Sequence, residues 1–187
     1  ITHLASAISG IPKTIKEKGH LVIRGEAVIS YADFEQFIIE SEGDYANPRN
    51  LASGSLSLKD AEEVKQRHIQ WIPFTLVYTE QEINSWGERM QMLQDLGFKP
   101  VERTRIEHPD EESIQAEINR FTQKVTDKTN PYPVDGLVIC YDDTAYAATG
   151  SVTGHHATRA GYAFKWQDEH ADTELDHIEW SCAANTI

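Results

Sequence analysis

Residues 45–55 (YANPRNLASGS) bring turn-forming, cationic and small side chains together in one short segment. Asn47 precedes a proline, which favours extended backbone there, and Arg49 follows with a planar fork of donors suited to a phosphate or a carboxylate. The small residues at 52–55 would let the backbone come close to a ligand. The segment predicts a phosphate-handling loop, and the alternative is a plain turn followed by the start of a helix.

Three other segments each carry a charged residue in a setting that suits chemistry. Glu26 in RGE lies on a predicted strand, and a carboxylate on a strand is a rigid acceptor for a hydroxyl or an ammonium. Asp135 in PYPVDGLVI is followed by a glycine, which leaves room for a metal-bound phosphate. Lys165 in YAFKW stands between Phe164 and Trp166, so on a strand it faces away from both.

Each of these charged residues also has an interpretation that involves no ligand. Glu26 could form a surface salt bridge with Arg24, and Arg49 could clamp its own loop. Asp135 could belong to a turn, and Lys165 could keep an edge strand from pairing with another chain. The residue types alone leave both interpretations open.

The elements that must position these residues alternate irregularly along the chain. Strands are predicted at residues 21–30, 69–78, 134–141, 160–166 and 175–180. Helices are predicted from an N-cap at Asp33, over residues 59–68 and 85–96, and from Asp110 onward. Without a regular strand–helix–strand rhythm, the pattern favours an α+β fold with mainly antiparallel sheet.

Two of the helices carry apolar stripes at helical spacing, which predicts faces turned towards the core. The stripes are Trp86, Met90, Leu93 and Leu96 on one helix, and Ile114, Ile118, Phe121 and Val125 on the other. Gly97 follows the first stripe and predicts the end of that helix.

The composition bounds the class of protein. The 187 residues, with 40% hydrophobic content, fit one soluble globular domain with or without a remnant of another. No apolar run approaches the roughly 20 residues that span a bilayer, so no membrane partner is expected. The net charge of −13 argues against a stand-alone nucleic-acid clamp. Cys140 and Cys182 stand far apart outside any metal-binding spacing, which indicates free thiols in a reducing compartment.

In this order, RGE, the NPRN segment, PYPVDGLVI and YAFKW resemble the adenylation domain of bacterial NAD-dependent DNA ligases, over nearly the whole chain. That resemblance implies an α+β nucleotidyltransferase fold, ATP-grasp-like, with antiparallel sheets flanked by helices. Residues 1–170 would form the adenylation domain, incomplete at its N-terminus because the chain begins at Ile1 in sequence typical of the middle of a domain. Residues 171–187 would form a hinge and the start of an OB-fold domain.

The resemblance also implies a reaction and its partners. A lysine attacks the α-phosphorus of NAD and expels nicotinamide mononucleotide, the AMP passes to a DNA 5′-phosphate, and a 3′-hydroxyl then displaces the AMP. Each step builds negative charge on phosphate, so the site needs cations and positioned donors. The implied cofactors are NAD and Mg²⁺, and the implied partner is nicked duplex DNA. The parent protein is expected to be a cytoplasmic monomer.

Specific residues take roles from this resemblance. Glu26 would contact the ribose and support the reacting lysine, and Lys165 would contact the phosphate and adenine of AMP, which makes both residues catalytic. Asp135 would hold the metal ion. Arg49 would serve the AMP phosphate or the DNA.

Three more residues complete the implied nucleotide pocket. Tyr78 would stack on adenine, with ordinary strand packing as its alternative. Val138 and Cys140 would line the pocket beside Lys165. The resemblance further predicts that four of these residues converge on one cleft, namely Glu26, Tyr78, Asp135 and Lys165. Arg49 would lie at the edge of that cleft.

The chain departs from the family at the nucleophile and at two cations. No lysine stands in the family's Lys-x-Asp-Gly motif, so the isolated chain is expected to be inactive. Cys140 stands where the family usually has lysine, and Ser57 where it has arginine; Lys59 and Arg159 could compensate for the lost charge. These departures keep two alternatives open, a non-catalytic ligase-like paralogue that binds nucleotide or nucleic acid and another ligase of the superfamily.

Overall fold

The computed structural model describes residues 1–41, 45–150, 161–166 and 174–178 of the chain. In chain order, the elements are a 3₁₀-helix at Thr2–Leu4, β1 at Leu21–Val28, α1 at Tyr31–Ser41, α2 at Pro48–Ser55, α3 at Ala61–Gln66, β2 at Gln70–Thr79, α4 at Trp86–Asp95, α5 at Glu111–Thr126, β3 at Gly136–Cys140, α6 at Thr144–Ala147 and β4 at Gly161–Lys165. Two antiparallel pairs form, β1 with β2 and β3 with β4. The mixed class with antiparallel sheet is therefore confirmed. No helix in the described ranges is long and apolar enough to cross a membrane.

The β1–β2 pair turns one face to the core and the other to solvent. Arg24 and Glu26 are exposed and alternate with more buried residues of β1, which is the period of two expected of a strand. Gly25 lies against the indole of Trp71, because a Cβ added there would come 2.5 Å from the ring. Trp71 packs against both clusters of the core. The glycine therefore lets the sheet close over the core while Glu26 stays outside.

Two clusters of buried apolar side chains form that core. One contains Leu4, Ile8, Ile29, Leu51, Ala52, Val64 and Ile69. The other contains Leu76, Met90, Leu93 and Phe98. The first joins α2 and α3 to the sheet, and the second joins α4 to it.

The segment at 45–55 is a turn followed by a helix and not a loop throughout, whereas its role in handling phosphate stays a prediction. Asn47 has extended backbone (φ −163°, ψ 167°), and its side chain accepts a hydrogen bond from the backbone N–H of Asn50 at 2.9 Å. Pro48 occupies the first helical position, where its missing N–H leaves no carbonyl unpaired. These two residues start α2 by themselves, and Arg49 lies on the exposed side of its first turn.

The helix after β1 is capped by Ser30 and not by Asp33. The Ser30 hydroxyl accepts from the backbone N–H of Asp33 at 3.0 Å and donates to the Asp33 carboxylate at 2.5 Å. The prediction placed the cap too late, because β1 ends at Val28 and the chain turns into α1 immediately. Asp33 instead pairs with the ring of His68, with Nδ1 and Oδ1 3.0 Å apart.

The two apolar stripes have different outcomes. The stripe of α4 faces the core, with Met90 and Leu93 fully buried, and Gly97 ends the helix at φ +92°. The stripe of α5 is only half-buried. Cationic side chains cover its centre, since the Arg120 guanidinium lies 4.2 Å from the ring centroid of Phe121.

The strand predicted at 175–180 is wrong for the part that the structure describes. Residues 174–178 are exposed and belong to no strand. A strand needs a partner for its backbone N–H and C=O groups, and neither described sheet extends to this segment. Residues 179 and 180, most of the predicted hinge, Arg159, Cys182 and residue 160 of the predicted strand lie outside the described residues.

Candidate functional site

The β3–β4 pair brings three of the predicted pocket residues to one face. Gly136 pairs with Lys165, and the register continues residue by residue along both strands. Because cross-strand partners share a face and alternate positions repeat it, Val138, Cys140 and Lys165 lie on the same side. Val138 is 78% exposed there. Phe164 lies on the opposite side, so the two faces of this short sheet have different environments.

Trp166 holds the end of β4 against α5. Its indole N–H donates to the hydroxyl of Thr122 at 2.8 Å, and its backbone N–H donates to the carbonyl of Asp135 at 3.2 Å. Its ring meets that of Phe164 edge to face, with centroids 5.9 Å apart. These contacts fix the face that carries the two aromatic rings, and they leave Lys165 exposed on the other.

Lys165 and Asp135 form an ion pair at the start of this face. Lys165 Nζ lies 3.3 Å from Asp135 Oδ2, and the two side chains are 70% and 59% exposed. The hydrogen bond and charge of Lys165 lower the pKa of the Asp135 carboxyl, and the positive charge of Arg49 adds to the shift. The geometry therefore presents an exposed pair of an ionised carboxylate and an ammonium on this face, and the charge of Arg49 adds a smaller electrostatic effect.

Two glycines in this sheet are required by strand pairing. A Cβ added at Gly136 would come 2.2 Å from the carbonyl oxygen of Phe164, and one at Gly161 would come 2.1 Å from the carbonyl oxygen of Ile139. Backbone atoms cannot swing aside as a side chain can. The glycine after Asp135 thus has a structural reason of its own, beside the room for phosphate that the sequence suggested.

Cys140 brings no positive charge to this face. Burial raises the pKa of its thiol, and the charge of Asp142 adds to the shift. The thiol is therefore neutral near pH 7 and a poor nucleophile. Ser57, the other departure from the family pattern, lies exposed just beyond α2, where its backbone N–H donates to the carbonyl of Gly54 at 3.1 Å.

Glu26 and Tyr78 lie together on the exposed face of the other sheet. Tyr78 pairs with Val22 and Glu26 with Ile72, so the two are separated by about 13 Å along β1, at 3.3 Å per residue. Tyr78 is 49% exposed, and its ring meets that of His20 edge to face at 5.5 Å. An exposed aromatic ring and an exposed carboxylate thus face solvent from one surface.

The predicted site residues form two groups. Asp135 and Lys165 are in direct contact, and the charge of Arg49 contributes to the lowered pKa of Asp135. Glu26 and Tyr78 instead share the β1–β2 surface. Within the described part of the chain, no hydrogen bond or ion pair joins the two groups. Their convergence on one cleft stays a prediction.

The end of β3 is tied to the start of α4. The Asp142 carboxylate accepts from the Ser85 hydroxyl at 2.9 Å and from the backbone N–H of Gly87 at 2.8 Å. The backbone N–H of Trp86 donates to the Asp142 carbonyl at 2.7 Å. This junction connects the sheet that carries Lys165 to a helix of the core.

Sequence reasoning missed Arg67, which lies under the 45–55 segment. Arg67 is 7% exposed. A local signal was available, because Arg67 follows the fully buried Val64 by three residues, which places both on one side of the helix predicted at 59–68. The sequence predicted that helix from its polar composition alone.

The chain was compared with known proteins. It matches the family model described as NAD-dependent DNA ligase adenylation domain over residues 1–169. It is 35% identical to a DNA ligase of Lachnoclostridium phytofermentans, covering 98% of this chain and 28% of the relative. It is also 35% identical to a DNA ligase of Ruminiclostridium cellulolyticum (97% and 27%) and 32% identical to one of Leptospira biflexa (97% and 26%). The chain therefore spans between a quarter and three tenths of the length of these relatives.

Proposed function

This chain belongs to the family of NAD-dependent DNA ligase adenylation domains, and from that premise we propose that its parent protein seals nicks in duplex DNA. The reaction would use NAD and pass through lysyl-AMP and DNA-adenylate intermediates. The family match and the names of the relatives support this proposal. A monomeric, cytoplasmic parent, a nucleotidyltransferase fold over residues 1–170 and a hinge into an OB-fold domain over 171–187 are parts of the same proposal.

The observation that carries the proposal is the ion pair between Lys165 and Asp135. The Lys165 ammonium is exposed, so a phosphate oxygen can approach it from solvent. We assign Lys165 to the phosphate of AMP, where added negative charge in the transition state strengthens the contact. Arg49, which already acts on Asp135, would supply the second cation to the AMP phosphate or to the DNA.

The rest of the nucleotide would contact the two exposed sheet faces. Val138 and Cys140 share the face of Lys165 and would pack beside the nucleotide. Tyr78 would stack on adenine, and Glu26 would accept hydrogen bonds from the ribose and support the reacting lysine. Tyr78 and Glu26 are both exposed on the solvent face of the β1–β2 pair, so a nucleotide could reach them there.

We propose that magnesium is held here chiefly by substrate phosphates and water, with Asp135 as the protein ligand. Protein sites for Mg²⁺ at phosphates commonly use only one or two carboxylates, so a lone carboxylate fits. No group of three or more metal-ligating side chains occurs among the described residues. The ion would neutralise charge that develops on the phosphates.

The nucleophilic lysine is a separate question. Because no lysine of the 187 residues stands in a Lys-x-Asp-Gly context, we propose that the isolated chain forms no lysyl-AMP. The alternative function, a non-catalytic paralogue, is favoured by one observation: Cys140 and Ser57 leave two positions uncharged where the family has cations.

The experiment uses the full-length parent protein with NAD labelled in its AMP moiety and a nicked duplex. The unsubstituted protein should form a labelled AMP adduct and seal the nick. Lys165→Met should lower the sealing rate about 100-fold or more, the usual loss for a group that stabilises transition-state charge. Lys99→Met, which removes an exposed lysine remote from the site, is the matched control and should retain the rate.

Three outcomes would separate the interpretations. A Lys165→Met rate within threefold of the unsubstituted protein would refute the role of Lys165. Nucleotide binding without any adduct would favour the paralogue. A labelled adduct on the isolated 187-residue chain would overturn the proposal that it cannot react.

A further inference from the structure

The guanidinium of Arg67 contacts both ends of the 45–55 segment. Its Nη1 donates to the hydroxyl of Tyr45 at 3.2 Å and to the hydroxyl of Ser55 at 3.3 Å. Tyr45 precedes α2 and Ser55 is its last residue. One side chain at the C-cap of α3 therefore joins a residue that precedes α2 to the last residue of α2.

This cation is buried, which demands compensation. Removing a charge from water is unfavourable unless the charge is paired and hydrogen-bonded. Glu63 accepts from Arg67 Nη2 at 2.6 Å, and the rings of Phe37 and Tyr45 lie 5.2 and 5.8 Å from the guanidinium carbon. Residues of α1 and α3, together with the 45–55 segment, thus surround one planar group.

A buried arginine can fix the orientation of the helix that it contacts, because its hydrogen bonds are directional. Well-packed apolar side chains of similar volume often stabilise a fold as much as a buried ion pair does. An apolar side chain would not fix the rotation of α2, however, because it makes no directional bond. Ser55 donates to the carbonyl of Leu51 at 2.6 Å while it accepts from Arg67, so the orientation of the helix is set by a chain of hydrogen bonds.

Arg49 lies on the exposed side of α2, away from the residues that pack on the core. Leu51, Ala52 and Ser55 are buried, whereas Arg49 is exposed on the first turn, and the function proposed above assigns it to the AMP phosphate or to the DNA. A rotation or slide of α2 would move Arg49 relative to the phosphate site.

We propose that Arg67 is a positioning residue that holds α2 so that Arg49 faces the phosphate assigned to it above. Arg67 itself touches neither substrate nor cofactor. The inference rests on the function proposed above and adds to it a residue that works from underneath the site.

The test is a double-mutant cycle in the full-length protein, with nick sealing and thermal unfolding as readouts. Arg67→Met should lower kcat about 10- to 100-fold, the range expected for a misplaced catalytic group. The KM for NAD should change less than threefold, and the melting temperature should stay well above the assay temperature. Arg67→Lys keeps the charge but cannot form the planar fork. It should therefore restore less than a tenth of the kcat that is lost in Arg67→Met.

The cycle with Arg49 separates positioning from mere stability. If Arg67 acts through Arg49, the double variant Arg49→Met/Arg67→Met should be no slower than Arg49→Met alone. Losses that multiply, or an unchanged kcat in Arg67→Met, would overturn the inference. Arg103→Met, in a side chain that contacts Gln94 on α4, is the control and should keep the full rate.

Another double variant tests the inference if Arg67→Met does not fold. Tyr45→Phe/Ser55→Ala removes the two hydroxyl acceptors of Arg67 Nη1 and keeps the arginine and Glu63, and it should lower kcat at least fivefold. An unchanged kcat in this variant would also refute the inference. If instead the unsubstituted protein neither forms the AMP adduct nor seals nicks, the proposed function fails and the inference falls with it.

Discussion

The substitution Gly136→Ala should disable the site while leaving every charged group in place. The new Cβ would come 2.2 Å from the carbonyl oxygen of Phe164 and 3.2 Å from the Cα of Lys165, and real Cβ atoms essentially never approach closer than 3.0 Å. The β4 backbone must therefore retreat by about 0.8 Å at the carbonyl of Phe164, in the peptide group that leads into Lys165. The clash is with backbone atoms, so no side-chain rotation relieves it.

The expected result has a kinetic and a thermodynamic part. A displacement near 1 Å at a reacting or binding group lowers rates about 100-fold, so nick sealing by the full-length protein should fall by about that factor. Overpacking typically destabilises by about 1–3 kcal/mol, which thermal or urea unfolding would detect. Both losses trace to a single methyl group between two strands.

Gly54→Ala is the matched control, because it makes the same chemical change in α2. A Cβ there would meet only the ring of Tyr45, at 3.7 Å, an ordinary contact. Alanine is favoured over glycine in a helix by about 0.5–1 kcal/mol, so this variant should be slightly more stable and keep its sealing rate. Full activity in Gly136→Ala, or equal losses in both variants, would refute the reasoning.

Three further predictions concern the core, the thiol and the ion pair. Ile29→Ala, at a side chain that is 1% exposed, should lower the free energy of unfolding by about 2–5 kcal/mol, whereas Ile39→Ala, at 81% exposure, should change it by less than about 0.5 kcal/mol in the same urea titration. Because burial raises the pKa of Cys140, iodoacetamide at pH 8 should alkylate it more slowly than free cysteine, and mass spectrometry showing equal rates would contradict this. Lys165 lowers the pKa of Asp135 below its usual 3.8, so the small stabilising contribution of the pair is present above that pH and is lost as the pH falls through the lowered pKa. An NMR titration should show the Asp135 pKa rising in Lys165→Met, and an unchanged value would exclude the ion pair in solution.

Elements with strong local signals were predictable from sequence. The strand period of two predicts that Glu26 lies on the exposed face of β1. The apolar stripe on α4 faces the core, as its spacing predicts. The start of α2 is also local, since Asn47 and Pro48 determine it between them. The alternation around Lys165 needs only the strand period, and the structure has that lysine exposed.

Features that depend on distant partners were out of reach. The spacing of Arg67 from Val64 gave a local signal for its burial, but its partners Tyr45 and Ser55 lie 22 and 12 residues away, and their positions in the chain do not reveal that they meet there. The need for glycine at 136 and 161 likewise comes from the close approach of two strands separated by twenty residues of chain. The strand at 175–178 failed for the same kind of reason, because pairing requires a neighbour that no local pattern provides.

The junction at Asp142 makes the site and the core a single cooperative unit. The amide protons of Trp86 and Gly87 are bonded to the residue that follows β3 and Tyr141, so they cannot exchange with solvent unless that end of the sheet opens. A nucleotide that holds β3 and β4 together would therefore slow hydrogen exchange at the first turn of α4, a place it does not touch. Nucleotide binding would then be detectable as slower hydrogen exchange in α4, even in a protein that does not catalyse the reaction.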